Sequence, residues 1–136
     1  MMVLVDTSVW SLALRRRIMD SSQHAQDLIK LINNMQVQMI GPIRQEILSG
    51  IRVESQFVAV RDQLRAFPDL LLTSDHFEYA AELFNIVRAK GIQGSNTDFL
   101  ICSVSLRHSL PIFTTDNDFI LFAKHIPIKL HVTNTV

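Results

Sequence analysis

Short apolar runs, each followed by a longer segment of helical periodicity, restrict this chain more than any other feature of its sequence. Val3–Val5, 37–40, 70–72 and 111–114 have the length and composition of buried strands, and 126–132 reads as a last, edge-like one because it holds Pro127 and Lys129. Between them lie helix signals over 7–14 and over about 21–35, where Leu28, Ile29, Leu31, Ile32 and Met35 recur at helical spacing. Gly41-Pro42 opens a short helix with Ile43, Ile47 and Leu48 on one face, since proline costs nothing at a first helical position. Further helices are expected over 54–66, from a Ser74-Asp75…Glu78 capping box to about 89, from Ser95 onward, and over 117–123. Strands that alternate with helices pair in parallel through right-handed crossovers, which places helices on both faces of one sheet.

The 136 residues fit one domain, and 48% apolar against 19% charged residues describes a packed globule. No apolar run reaches the roughly 18–20 residues of a membrane helix, and the first residues lack the pattern of a secretory signal. With a single cysteine, Cys102, no internal disulfide can form, and a cytoplasmic location is expected. Thirteen Lys and Arg balance thirteen Asp and Glu. Were four of those acids gathered in one site, thirteen bases would face nine acids elsewhere, a balance compatible with a phosphate backbone.

In an open parallel sheet, ligands bind beyond the carboxyl ends of the strands. Asp6 directly follows the first apolar run, Glu46 lies about one turn into the helix after the second, and Asp116 follows the fourth within Thr114-Thr115-Asp116-Asn117-Asp118-Phe119. Asp98 sits in the first turn of its helix, which could face the same edge. Each acid has a plainer explanation. Asp6 and Asp116 could cap helices, Asp98 would complement a helix dipole, and Glu46 could belong to a solvated face. Four carboxylates gathered beside a core would instead require a cation, and hard oxygen donors without Cys or His suit Mg²⁺ or Mn²⁺. The five histidines are scattered without zinc-like spacing, Cys102 reads as core, and no phosphate-binding glycine loop or serine-nucleophile motif occurs.

Val5-Asp6-Thr7-Ser8, Glu46 after Gly41-Pro42, Thr97-Asp98-Phe99-Leu100-Ile101 and Thr114-Thr115-Asp116-Asn117-Asp118-Phe119 together resemble the motifs of a PIN domain, in the order and length of VapC-type toxins of toxin–antitoxin pairs. The resemblance spans essentially the whole chain, 1–136, as a single domain. It implies a PIN-like three-layer α/β/α sandwich with a mostly parallel sheet of four to five short strands. It further implies a Mg²⁺- or Mn²⁺-dependent endoribonuclease in which Asp6, Glu46, Asp98 and Asp116 form the acidic quartet. Asp118 matches an additional metal-binding acid, and Ser8 and Thr114 match supporting hydroxyls. A homodimer and a VapB-type antitoxin are implied partners. Phe-Leu-Ile-Cys-Ser after Asp98 departs from the small alanines common there. Arg15, Arg16, Arg17 and Arg44 are candidate RNA phosphate contacts, with a solvated charge run as the plain alternative for the first three and pairing with a site acid as the alternative for Arg44. The competing reading is a catalytically silent module that binds RNA or protein through the same fold. A DNA or flap nuclease and a phosphotransfer receiver fit less well, for want of insertions and of a suitably placed lysine.

Overall fold

The computed structural model describes residues 1–14 and 22–133. Among them lie three strands and seven helices, in the order β1 (Val3–Val5), α1 (Thr7–Leu14), α2 (Gln23–Asn33), β2 (Val37–Gln38), α3 (Gly41–Ser49), α4 (Glu54–Leu64), α5 (Ser74–Arg88), α6 (Asn96–His108), β3 (Ile112–Phe113) and α7 (Asp118–Ala123). The sheet runs β2-β1-β3 with all pairs parallel, Val3 opposite Val37 and Val5 opposite Phe113. This is the α/β architecture that the alternation requires.

β1 is the middle strand, and its three residues are buried because both neighbours pair with it and helices cover it. Ile112, Phe113, Met39 and Ile40 continue the same core, which α6 completes with Phe99, Ile101, Cys102 and Val104. Helix α1 packs on α2 and α3, and α5 lies along α6, which also touches β3.

The sheet is smaller than the apolar runs suggest. The 70–72 run is not a strand: one parallel bridge joins Asp69 to Met39, Leu70 N–H donates to Met39 O at 3.0 Å, and the chain then leaves for α5, with Leu71 81% exposed. The 126–132 segment likewise makes a single bridge, Leu130 to Ile112, held by Ile112 N–H to Lys129 O and His131 N–H to Ile112 O. These two isolated bridges flank a sheet of three strands, against the expected four to five.

Local chemistry sets the helix boundaries. Ser22 caps α2 by accepting from Ala25 N–H at 3.1 Å, and Pro42 stands at the head of α3. Helix α5 is capped by a different set from the expected Ser74-Asp75…Glu78. Thr73 is its N-cap, and Thr73 N–H donates to Nδ1 of His76 at 3.0 Å, so a histidine takes the part an acid usually plays. Helix α6 opens on a reciprocal pair, Asp98 N–H to Ser95 Oγ at 3.1 Å and Ser95 N–H to Asp98 Oδ2 at 3.0 Å. It ends at Ser109, whose φ of 54° is left-handed.

Candidate functional site

The end of β1 and the end of β3 are tied together through the Asp6 carboxylate. Asp6 N–H donates to Phe113 O at 2.8 Å, which fixes the junction between β1 and α1 at the carboxyl edge of the sheet. The side chain is buried, 6% exposed. Its Oδ2 accepts from Ser8 Oγ at 2.9 Å and from Thr114 Oγ1 at 2.8 Å. Both hydroxyls are themselves oriented by backbone donors, Thr115 N–H to Ser8 Oγ and Asp116 N–H to Thr114 Oγ1, each at 3.0 Å.

This arrangement bears on whether Asp6 merely caps α1. Among the described residues, the hydrogen bonds to its carboxylate come from two hydroxyls and none comes from the backbone of α1. Val9 and Trp10 N–H, at the head of that helix, go to the Asp6 carbonyl instead. A buried carboxylate with one oxygen doubly bonded and the other turned to neither hydroxyl is not doing a cap's work.

Asp98 and Asp116 do serve helix ends, and Asp98 also lies within reach of the charges of Asp116 and Asp6. Asp116 Oδ1 accepts from Asp118 N–H at 2.9 Å at the head of α7, and Asp98 belongs to the capping box of α6. Burial pushes the Asp98 carboxyl above its ordinary value, against the hydrogen bonds from Ser95, and the negative charges of Asp116 and Asp6 push it the same way. The same surroundings raise the thiol of Cys102, first by burial and then by the charges of Asp98 and Asp6. Three carboxylates from β1, α6 and the loop before α7 therefore share one electrostatic neighbourhood. Among the described residues, no three His, Cys, Asp or Glu side chains converge closely enough to hold a metal as they stand.

Glu46 and Asp118 lie on α3 and at the head of α7. Glu46 is exposed on α3 and lines a groove of about 720 Å³ with Thr7, Leu14, Ile47 and Val60, between α1, α3 and α4. Thr7 Oγ1 is buried in the same region without a hydrogen-bond partner among the described residues. Asp118 is exposed, and what it adds to the network is its backbone N–H.

Arg44 is engaged by partners within the chain. Its guanidinium donates to the carbonyl of Leu64 at 3.0 Å and to that of Phe67, and it pairs with Asp69 at 3.0 Å. It thus adds donors to carbonyls at and just beyond the end of α4, that of Leu64 also accepting Phe67 N–H, and clips α3 to the Asp69 segment that bridges Met39. The candidate contacts Arg15, Arg16 and Arg17 lie outside the described residues. Two histidines that look unrelated in sequence also meet, Nε2 of His76 lying 2.8 Å from Nε2 of His108.

Comparison with known proteins finds relatives of the same fold. The family model described as PIN domain matches residues 3–125. The VapC ribonuclease Mb1587 of Mycobacterium bovis is 28% identical over 127 residues, covering 90% of this chain and 92% of the relative. Ribonuclease VapC11 of Mycobacterium tuberculosis gives the same figures. Among solved structures, FitAcB from Neisseria gonorrhoeae superposes with a TM-score of 0.77 at 18% identity, over 99% of this chain and 100% of the other. VapBC2 from Rickettsia felis, bound to a DNA fragment from its promoter, superposes with a TM-score of 0.76 at 17% identity, over 96% and 98%.

Proposed function

Because the chain belongs to the PIN domain family, we propose that it is an endoribonuclease, the toxin of a toxin–antitoxin pair, and that it hydrolyses RNA phosphodiesters with the help of Mg²⁺ or Mn²⁺. The observation that carries this reading is the buried Asp6 carboxylate, held by Ser8 and Thr114 within the field of Asp98 and Asp116.

The donor set fits a hard divalent cation. It consists of carboxylate oxygens, it lacks sulfur and imidazole, and its members repel one another in the absence of positive charge. Asp6, Asp98 and Asp116 would hold the ion, with Glu46 and Asp118 joining from α3 and α7. When bound, such an ion activates water at neutral pH and stabilises charge on the transferring phosphoryl group and the leaving oxygen. The chain's own residues supply orientation. Ser8 and Thr114 fix the Asp6 carboxylate through Oδ2, so that it would be held in place for a cation, as outer hydrogen bonds commonly do for metal-binding carboxylates. Ser95 holds Asp98 on the first turn of α6, and Asp118 N–H holds Asp116. The expected products carry 5′-phosphate and 3′-hydroxyl ends.

The relatives named ribonuclease and the solved toxin–antitoxin assemblies support RNA as substrate and a VapB-type antitoxin as partner. A homodimer is part of the same reading. No helix among the described residues is long and apolar enough to cross a membrane.

The test is cleavage of total cellular RNA by the purified protein in Mg²⁺, in Mn²⁺ and in EDTA, beside Asp98→Asn. Discrete fragments that need metal and vanish in the variant are expected. Metal binding without cleavage under any condition would leave a silent binding module.

A further inference from the structure

The contact between His76 and His108 lies outside the carboxylate site and has a definite protonation pattern. His76 is the third residue of α5 and is buried, while His108 is the last residue of α6 and is exposed. Nδ1 of His76 accepts the Thr73 backbone N–H at 3.0 Å, so it carries no proton. The neutral ring then bears its proton on Nε2, which lies 2.8 Å from Nε2 of His108. That bond exists only if His108 offers a bare Nε2 and keeps its own proton on Nδ1. The same pattern leaves His76 no free lone pair for a metal. The two rings lie nearly parallel, at 12°.

We propose that His76 and His108 form an acid-opened latch, which holds the head of α5 against the tail of α6 while His108 is neutral and releases it when His108 is protonated. A proton on Nε2 of His108 would set two N–H groups against each other at hydrogen-bond distance. The exposed ring then turns to solvent, where the carbonyl end of α6 favours its charge, and the buried Nε2–H of His76 loses its acceptor.

Among the described residues, no carboxylate acts on His108 to offset this. His76 is the charged or titratable group that acts on His108, after a larger effect of burial, and both lower its pKa from the ordinary 6.5. The adjacent Arg107 of α6 lies over the ring of Tyr79 on α5, 4.4 Å from its centre. Asp75 and Glu78 flank His76 along α5, both exposed. With the folded value depressed, the unfolded chain binds the proton more readily. The stabilisation is therefore complete above pH 6.5 and is lost as pH falls below it. Ser103 Oγ donates to His76 O at 2.7 Å, so a second tie between the helices persists and opening stays local.

The experiment measures imidazole ¹⁵N shifts and amide protection over 74–80, corrected for intrinsic exchange, in the full chain. Wild type is compared with His108→Gln, whose amide oxygen accepts from His76 but does not titrate, and with His108→Leu, which offers no acceptor. At pH 7.5, His76 should show its proton on Nε2 and His108 on Nδ1. Between pH 7.5 and 5.5, wild-type protection should fall about tenfold relative to His108→Gln, the worth of one buried hydrogen bond. His108→Leu should be weakly protected at both values. The opposite tautomer at His76, or an equal fall in His108→Gln, would overturn the latch.

Discussion

Thr114 Oγ1 donates to Asp6 Oδ2 at 2.8 Å across 108 positions of sequence, and this bond makes the ends of β1 and β3 one site. Thr114→Val keeps the shape of the side chain and removes the bond. RNA cleavage at fixed Mn²⁺ is expected to fall about 10- to 100-fold, the usual cost of losing a partner that orients a metal-binding carboxylate. Thermal unfolding and single-turnover rates together check this, since the loss should be far larger in rate than in stability.

Arg44 yields a prediction of the opposite kind. Arg44→Ala removes the guanidinium donors from the carbonyl of Phe67 and from that of Leu64, which keeps Phe67 N–H, and it leaves Asp69 without this cation. Urea denaturation should show a loss of about 1–3 kcal/mol. The dependence of RNA binding on salt should keep its slope, whereas loss of a phosphate contact would reduce that slope by about one.

Asp98 should be held at the expense of stability. Its carboxyl titrates above the ordinary 3.8 in the folded chain, so folding is penalised once pH rises past that value and ionisation sets in. Asp98→Asn, which can still accept from Ser95, is expected to be at least as stable as wild type at pH 7, with the difference closing in acid. Saturating Mn²⁺ should reverse the order by stabilising wild type alone, by about 2.7 kcal/mol at a hundred times its Kd. Melting curves of both proteins with and without Mn²⁺ decide this.

Gly94 leads into the loop that caps α6. A Cβ there would lie 2.7 Å from Cζ of Phe122 and 2.8 Å from Cε2 of Phe99, both buried rings. Gly94→Ala should cost about 1–3 kcal/mol by overpacking, read by denaturant titration. It should also lower cleavage by shifting Ser95 and Asp98.

The sequence is most informative where function sits next to a local signal. Val3–Val5 is apolar throughout because β1 is central, so its end at Asp6 is visible in one dimension. The Ser95–Asp98 box is likewise contained in four residues. Contacts that close over long separations leave no such trace. The Arg44–Asp69 clip spans 25 positions and the His76–His108 pair 32, and each consists of residues that read as surface. Leu70–Leu72 misleads for a related reason. Apolar content does not reveal that only Asp69 comes alongside β2 before the chain turns into α5.

The most direct test of the central claim is the single-turnover rate of cleavage of a defined single-stranded RNA by Asp6→Asn in Mn²⁺, beside wild type. The substitution preserves size and can still accept from Ser8 and Thr114. A loss of at least about 100-fold is expected, with the melting temperature little changed. Wild-type cleavage by the folded variant would contradict it and return Asp6 to a structural part at the end of a strand.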